Sequence, residues 1–314
     1  MIIYMMQYLG MMDDELKNWE KEFKDKGAEL VFDYNLRPDE KQKYLEKAEV
    51  VITSNIPLKE DVLSKMPNLK MISVAFTGLD HIDLEYCKSH DILVSNATGY
   101  STNSVAELVF AMILGLYRHI INADNATRNS KAKHGLVGNM LFGKKIGIIG
   151  TGKIGMRVAE IATVFGCELY AFSRTEKEEA KKMGVKYLPL EDLLAICDIV
   201  TLHVPLNNDT FHLIGKNELA LMKKTSILIN VDRGDIIDEI ALTEALLKKQ
   251  IAGAGVDTFS MEPPLPVDLP ILYTSNTIFT PHVGYATEEA IFERNIMAKE
   301  NVLAWLEGKP IRVV

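Results

Sequence analysis

Residues 144–175 read KKIGIIGTGKIGMRVAEIATVFGCELYAFSRT, and the rest of the chain is organised around them. The stretch opens with Ile146–Ile149, an apolar run with the length and β-branched content of a buried parallel strand. A glycine-rich turn follows, and a helical pattern then runs to about Phe165, with Gly166 where a helix C-cap belongs. Residues 168–173 have the pattern of a second strand. Strand, glycine turn, helix and strand within about 30 residues predict a dinucleotide-binding βαβ unit.

Each of the three glycines in Gly150-Thr-Gly152-Lys-Ile-Gly155 has a predicted physical role. Gly150 allows the tight turn, Gly152 lets backbone N–H groups approach a pyrophosphate, and Gly155 lets the helix pack close to the strand. The pyrophosphate then rests on the positive end of the helix. S-adenosylmethionine sites also use a glycine turn after a first strand, so the motif alone does not name the ligand.

The end of the second strand indicates which dinucleotide is preferred. NAD sites usually place Asp or Glu there, about 20 residues after the first glycine, to bind the adenine ribose. This chain has Ser173-Arg174-Thr175, and its first carboxylate is Glu176. A guanidinium flanked by two hydroxyls can bind a 2′-phosphate, which an acid would repel. We therefore predict NADP(H) as the preferred cofactor and NAD(H) as the alternative, in which Arg174 is a solvated strand-end charge.

Composition and charge exclude several classes of protein. The chain has 314 residues, enough for two domains, and a net charge of −8, which argues against nucleic acid or an anionic membrane as a partner. The first residues lack the basic region of a signal peptide, and the most apolar segment, Val105–Leu116, is too short to span a bilayer. Cys87, Cys167 and Cys197 lack CxxC spacing and suit packing roles in a reducing compartment. We expect a cytoplasmic protein without a metal site.

Apolar runs alternate with amphipathic helices along the whole chain, which predicts the α/β class with two doubly wound parallel sheets. Five short strands precede residue 98, and six strands counted from Ile146 make a full dinucleotide-binding sheet. The helix Val105–Ile121 is apolar nearly all round and should be buried. The last helix, about Thr287–Leu306, can return to the first domain.

Three polar side chains follow the predicted strands of the second sheet. Arg233, Glu262 and His282 each lie at or beyond the carboxyl end of a strand. In an open parallel sheet ligands bind at this edge, where the glycine turn also lies. Each residue alone is more often a packing or loop residue, but the three together predict a catalytic site.

Six motifs of the chain resemble those of the D-isomer-specific 2-hydroxyacid dehydrogenases, a family that includes glyoxylate/hydroxypyruvate reductases and glycerate, phosphoglycerate and D-lactate dehydrogenases. In chain order they are Thr77-Gly78-Leu-Asp80-His-Ile-Asp83, Gly99-Tyr-Ser-Thr-Asn-Ser-Val-Ala-Glu107, the glycine turn, Asn230–Gly234, Asp257–Pro263 and Pro281–Gly284. The resemblance covers essentially the whole chain. It implies a flavodoxin-like substrate domain, 1–98 plus 288–314, and a Rossmann NAD(P)-binding domain, 99–287.

The resemblance also implies roles for the three polar residues. Arg233 would anchor the substrate carboxylate and polarise the keto oxygen, His282 would transfer the proton, and Glu262 would pair with His282 and orient it. Backbone N–H groups of Thr77 and Gly78 would bind the carboxylate, so substrate binding falls to Thr77, Gly78, Arg233 and His282. The cofactor-binding residues expected from motif and resemblance together are Gly150, Gly152, Lys153, Ile154, Gly155, Ser173, Arg174, Thr175, Val204, Val231, Asp257 and Gly284.

The expected activity is hydride transfer between NADP(H) and C2 of a small D-2-hydroxy acid or 2-keto acid such as glyoxylate, hydroxypyruvate or pyruvate. Family members usually form a homodimer through the cofactor domain, and we expect the same here. Two alternatives remain within the family: a non-catalytic nucleotide sensor, and an NAD-dependent enzyme like phosphoglycerate dehydrogenase. Many phosphoglycerate dehydrogenases carry a regulatory domain for which this sequence leaves no room after Val314, so we expect the second alternative to apply less well. A methyltransferase is disfavoured by the six-strand pattern and the three polar residues.

Overall fold

The twelve β-strands of the protein all pair in parallel with their neighbours, in a computed structural model that describes all 314 residues. The strands are β1 (Ile2–Met5), β2 (Glu29–Phe32), β3 (Ala48–Thr53), β4 (Met71–Val74), β5 (Leu93–Asn96), β6 (Lys145–Ile149), β7 (Glu168–Phe172), β8 (Lys186–Tyr187), β9 (Ile199–Leu202), β10 (Ile227–Asn230), β11 (Gly253–Val256) and β12 (Thr277–Phe279). The helices are α1 (Asp13–Asp25), α2 (Pro38–Lys47), α3 (Glu60–Leu63), α4 (Leu84–Ser89), α5 (Thr102–Tyr117), α6 (Ile120–Arg128), α7 (Lys153–Val164), α8 (Glu178–Lys182), α9 (Leu190–Ile196), α10 (Lys216–Leu221), α11 (Glu239–Leu247) and α12 (Glu288–Leu306).

Two compact units each contain one of the sheets. Unit 1 consists of Met1–Ser101 and Ala286–Val314, and unit 2 of Thr102–Tyr285. The sheet of unit 1 has the order β2-β1-β3-β4-β5, which is the flavodoxin-like arrangement. The sheet of unit 2 has the order β12-β11-β10-β9-β6-β7-β8. The predicted fold class, α/β with two doubly wound parallel sheets, is confirmed.

In unit 1 the two ends of the chain share one core. Trp19 and Phe23 of α1 and Ala298 and Val302 of α12 belong to the cluster that covers one face of the sheet. The hydroxyl of Ser73 on β4 donates to the carbonyl oxygen of Ala298 across 2.9 Å. The C-terminal residues run beside the edge strand β5, where Val313 forms an antiparallel bridge. Unit 1 therefore needs both chain ends to bury its sheet.

Unit 2 contains one strand more than the six predicted. The additional strand, β8, has only two residues, and Tyr187 pairs with Ala171 of β7 at the sheet edge. Two residues are too short for the alternating pattern by which strands are recognised in a sequence. Counted from β6, the strands β8-β7-β6-β9-β10-β11 follow the Rossmann order 3-2-1-4-5-6, and β12 adds a seventh strand beside β11.

The long apolar helix of the prediction is two helices. α5 ends at Tyr117 and α6 begins at Ile120, after His119 takes a left-handed conformation with φ of 51°. The break falls at Arg118 and His119, neither of which is a helix breaker, and apolar residues resume at Ile120, so the local pattern does not predict it. Most of α5 lies in the core of unit 2, as expected. No single helix of the protein is long and apolar enough to cross a membrane, although α5 and α6 taken together, bent by 58°, meet the length and composition criteria.

Candidate active site

The glycine turn between β6 and α7 is shaped by two positions where a side chain has no room. Gly150 has φ of 96°, and a Cβ added there would lie 2.1 Å from the carbonyl oxygen of His203. A Cβ on Gly155 would lie 2.0 Å from the carbonyl oxygen of Gly150, so α7 packs directly on the turn. These are the predicted roles of the first and third glycines.

Open space lies in front of the α7 N-terminus. Gly152 is the N-cap of this twelve-residue helix, and a Cβ added to it would meet nothing within 4 Å. Lys153 and Ile154 form the first turn of α7. Backbone N–H groups at a helix N-terminus and the positive end of the helix dipole suit an anionic group. The geometry therefore fits the pyrophosphate of a dinucleotide.

The loop after β7 presents a guanidinium. Arg174 and Thr175 are exposed and Ser173 is half-buried, and their side chains form no hydrogen bond or ion pair. The first acid of the loop, Glu176, is paired with Lys181 of α8 across 2.9 Å. Lys181 also pairs with Glu178, and hydrogen bonds to these two acids raise its pKa. The nearest carboxylate is therefore engaged, and Arg174 is available to a ligand.

The catalytic candidates follow three adjacent strands. Arg233 follows β10, Glu262 follows β11 and His282 follows β12, and these strands are neighbours in the sheet. Val204 and Val231 follow β9 and β10 at the same carboxyl edge, on which the glycine turn after β6 also lies. The parallel topology thus brings together residues that are far apart in the sequence.

A buried asparagine and a glycine shape the turn that carries Arg233. The Asn230 side-chain nitrogen donates to the carbonyl oxygen of Arg233 across 2.8 Å, and its oxygen accepts the backbone N–H of Asp232 across 3.2 Å. A Cβ on Gly234 would lie 2.0 Å from the carbonyl carbon of Phe259. Only glycine lets this turn pack against the loop that leads to Glu262.

His282 and Glu262 form a hydrogen-bonded pair. The Nδ1 atom of His282 lies 3.0 Å from Oε1 and 2.9 Å from Oε2 of Glu262. The His282 side chain is 17% exposed and that of Glu262 is 72% exposed. With Nδ1 held by the carboxylate, Nε2 is the ring nitrogen left to act on a substrate. The structure thus brings Glu262 and His282 together as a hydrogen-bonded pair, while their roles in proton transfer stay a prediction.

Asp257 holds the loop on which His282 lies. Its carboxylate is fully buried and accepts hydrogen bonds from the backbone N–H of Val283 across 2.9 Å, the backbone N–H of Gly284 across 2.8 Å and the hydroxyl of Thr280. The sequence predicts Asp257 and Gly284 as cofactor contacts, whereas in the structure they bond to each other inside the loop. Their contact with a cofactor stays a prediction.

The predicted substrate loop belongs to unit 1. Thr77 and Gly78 follow β4 at the carboxyl edge of that sheet. The carbonyl oxygen of Thr77 accepts a hydrogen bond from the Asn96 side-chain nitrogen across 2.9 Å. Asn96 is itself held from α12, because the Asn301 side-chain nitrogen donates to its carbonyl oxygen across 3.1 Å. Sequence reasoning did not identify Asn96, whose role depends on a contact made by the distant C-terminal helix.

Burial keeps the three cysteine thiols and the His203 imidazole in their neutral forms. Burial raises the pKa of Cys87 and Cys167 to about 11 and that of Cys197 to about 12, so all three stay protonated thiols near neutral pH. Burial lowers the pKa of His203 to about 3, so this histidine stays neutral. No three His, Cys, Asp or Glu residues are grouped so as to hold a metal ion.

The family model for the NAD-binding domain of D-isomer-specific 2-hydroxyacid dehydrogenases matches residues 110–284. The chain is 40% identical to the glyoxylate reductase of Aeropyrum pernix over 258 residues, which cover 79% of this chain and 77% of that protein. Among solved structures, an acyclic imino acid reductase in complex with NADPH and D-Arg is similar over the full length of both chains, with a TM-score of 0.88 and 29% identity. The D-lactate dehydrogenase of Aquifex aeolicus, complexed with NAD and lactic acid, covers 98% of this chain and 96% of its own, with a TM-score of 0.87 and 30% identity.

The structural similarity to the imino acid reductase extends over both units, and the family-model match includes the glycine turn and the strands that carry Arg233, Glu262 and His282. The chain belongs to the family of D-isomer-specific 2-hydroxyacid dehydrogenases.

Proposed function

We propose that the protein is an NADPH-dependent reductase of small 2-keto acids, with glyoxylate, hydroxypyruvate and pyruvate as the substrates to test. The observation that carries this proposal is the hydrogen-bonded pair of His282 and Glu262. The pair follows the two strands on one side of β10, the strand that carries Arg233, at the sheet edge where the glycine turn also lies. In this proposal unit 1 is the substrate domain and unit 2 is the cofactor domain. The 40% identity to a glyoxylate reductase supports a small substrate.

Arg233 is proposed to bind the substrate carboxylate and to polarise the keto oxygen, a task for which a planar guanidinium with several N–H donors is suited. The backbone N–H groups of Thr77 and Gly78 are proposed to bind the same carboxylate. His282 then donates the proton from Nε2 to the keto oxygen, while Glu262 keeps the ring oriented through Nδ1. The bound nicotinamide supplies the hydride. In the oxidative direction His282 accepts the hydroxyl proton.

The preference for NADP(H) rests on the loop after β7. No carboxylate occupies the position that binds the adenine ribose hydroxyls in NAD sites, and the nearest one, Glu176, is paired with Lys181. Arg174 has no competing partner in the protein, and Ser173 and Thr175 add two hydroxyl donors beside it. Relatives with either cofactor are known, since the similar structures hold NADPH in one case and NAD in the other.

A steady-state assay tests the proposal, in which oxidation of NADPH and of NADH is followed separately with glyoxylate, hydroxypyruvate and pyruvate. We expect turnover with at least one acid and a higher kcat/KM with NADPH than with NADH. A preference for NADH would point instead to the NAD-dependent alternative. Tight binding of NADPH without turnover of any 2-keto acid would point to the nucleotide sensor.

We also propose that the protein forms a homodimer through unit 2. Exposed apolar side chains cluster on the segment 137–142 and at the end of α7, where the ring of Phe142 packs against Gly166. Val137, Met140 and Val164 are exposed in the same part of the unit. Such side chains are usually covered in an interface. Light scattering coupled to gel filtration should give twice the chain mass of 35.2 kDa, and Phe142→Ser should shift it toward the monomer.

For location and other partners we propose a cytoplasmic protein that binds neither nucleic acid nor membrane. The net charge of −8 opposes binding to polyanions, and the three cysteines are free rather than paired in disulfides.

A further inference from the structure

Tyr187 connects two loops to which the proposed function assigns different parts of the cofactor. Its hydroxyl donates a hydrogen bond to the Oγ1 atom of Thr151, inside the glycine turn, across 3.1 Å. The same oxygen accepts the backbone N–H of Lys177 across 3.0 Å. Lys177 is the N-cap of α8 and ends the loop that carries Arg174. One phenol therefore joins the pyrophosphate-binding turn to the end of the arginine loop.

The Arg174 loop is anchored at both of its ends. At its start, the backbone N–H of Gly150 donates to the carbonyl oxygen of Phe172 across 2.8 Å, which continues the ladder between β6 and β7. At its far end, Tyr187 holds Lys177. Between the two anchors the side chains of residues 173–175 make no bond within the protein. The phenol is thus the side chain that fixes the far end of the loop relative to the glycine turn.

One partner of the Tyr187 hydroxyl is buried and the other is the backbone of a half-buried residue, Lys177. Thr151 is 3% exposed, so its hydroxyl faces the protein and not the space in front of α7. Tyr187 itself is half-buried and packs against the core of unit 2, and its backbone pairs with Ala171 of β7. The hydroxyl donates one hydrogen bond and accepts another, and both are made within the protein. It is therefore a structural link rather than a ligand-binding group.

We propose that Tyr187 is a positioning residue for cofactor selection, which sets the distance between the site of the pyrophosphate and the site of the 2′-phosphate. This inference rests on the proposed NADP(H) preference and on the role given to Arg174. A ligand that occupies both sites gains from a fixed separation, because the loop does not have to be ordered on binding. A ligand that lacks the 2′-phosphate occupies only the first site and gains little. Tyr187 therefore favours NADPH over NADH without touching either.

The test compares Tyr187→Phe with Tyr170→Phe. Tyr170 lies on the neighbouring strand β7, and its hydroxyl bonds to Glu168 and to neither cofactor loop. Dissociation constants for NADPH and NADH are measured by the fluorescence of the bound nucleotide, for the wild type and both variants. We expect Tyr187→Phe to raise the Kd of NADPH about tenfold, the loss expected for one or two hydrogen bonds, and that of NADH less than about twofold. Tyr170→Phe should change neither constant.

Two further variants separate this inference from the function on which it rests. Thr151→Val removes the other partner of the same hydrogen bond and should lower the NADPH preference as Tyr187→Phe does, which keeps the test sound if one variant folds poorly. Arg174→Gln tests the 2′-phosphate site alone. If Arg174→Gln abolishes the preference and Tyr187→Phe leaves it intact, the proposed function stands and the role of Tyr187 is overturned. Equal weakening of both nucleotides by Tyr187→Phe, or a wild type that prefers NADH, also overturns it.

Discussion

The backbone N–H of His282 donates a hydrogen bond to the carbonyl oxygen of Asp257 across 2.8 Å, while the buried Asp257 carboxylate accepts the next two backbone N–H groups. His282 has φ of 55°, in the left-handed region that is uncommon for a residue with a side chain. Three consecutive N–H groups therefore point at one residue. These hydrogen bonds offset the free-energy cost of the left-handed conformation of His282. They fix the backbone from which the imidazole projects.

This relationship predicts the behaviour of Asp257→Asn. An amide replaces one acceptor oxygen by an N–H₂ group, which leaves a buried backbone N–H of Val283 or Gly284 without a partner. We expect kcat to fall by about tenfold or more, since an unsatisfied buried donor costs about 1–3 kcal/mol and the loop that carries His282 relaxes. The Kd of NADPH distinguishes this effect from a direct cofactor contact, because it should stay within about twofold if Asp257 acts only through the loop. Stopped-flow single turnovers and nucleotide binding would be measured together.

Asp198→Asn is the matched control, because the Asp198 carboxylate also accepts a backbone N–H, from Lys145 across 2.9 Å, at the amino edge of the same sheet, opposite the catalytic candidates. A large rise in the Kd of NADPH for Asp257→Asn, with kcat unchanged, would mean that Asp257 acts as a cofactor contact and not through the loop.

Substitution of His282 should remove the chemical step and leave binding intact. Asn is the replacement of choice, because it tolerates a left-handed backbone better than Ala does. We expect His282→Asn to lower kcat by about 10²–10⁴-fold, the usual contribution of a general acid, with an unchanged Kd for NADPH. Glu262→Gln keeps the shape of the partner and should cost less. A His282→Asn enzyme with normal kcat would falsify the acid–base role.

Arg174 is expected to discriminate between the two cofactors. Arg174→Gln should raise KM for NADPH by about 10–100-fold, the range expected for hydrogen bonds to a charged group, and should leave KM for NADH within about twofold. Arg157→Gln is a suitable control, since Arg157 is an arginine of α7 whose guanidinium pairs with Glu160 across 2.8 Å. If both substitutions had the same effect on NADPH, general electrostatic attraction would explain the preference better than a specific site.

Asn96 is expected to control substrate binding through the loop of Thr77. Asn96→Asp loses the N–H donor to the Thr77 carbonyl and places a carboxylate against it. We expect KM for the 2-keto acid to rise about tenfold while the Kd of NADPH stays constant. Asn68→Asp is the control, because Asn68 makes the same kind of bond to the carbonyl oxygen of Glu46 at the surface of unit 1. An equal rise in KM for both variants would show a general loss of stability in unit 1.

Local sequence patterns were sufficient for most elements. The strand–glycine–helix–strand unit was predicted nearly to the residue, because strand length, helix period and glycine positions are all local properties. The pattern failed where it had too few residues, at β8, and where no breaker marked a change of direction, at His119. Both failures concern local conformations that are stabilised by contacts with the rest of unit 2.

The sequence by itself determined the fold class, the family and the residue types available for chemistry, since each of these depends on periodicity and on short motifs. Only the tertiary structure decided which other side chains hold the candidate site residues and their loops in position. Asp257 bonds to Gly284, Tyr187 to Thr151 and Asn301 to Asn96, between residues that are distant in the chain. Such hydrogen bonds leave no periodic pattern in the sequence, because they join residues that become neighbours only in the folded chain. The motifs therefore named the catalytic candidates, and the folded chain supplied the contacts that hold them in place.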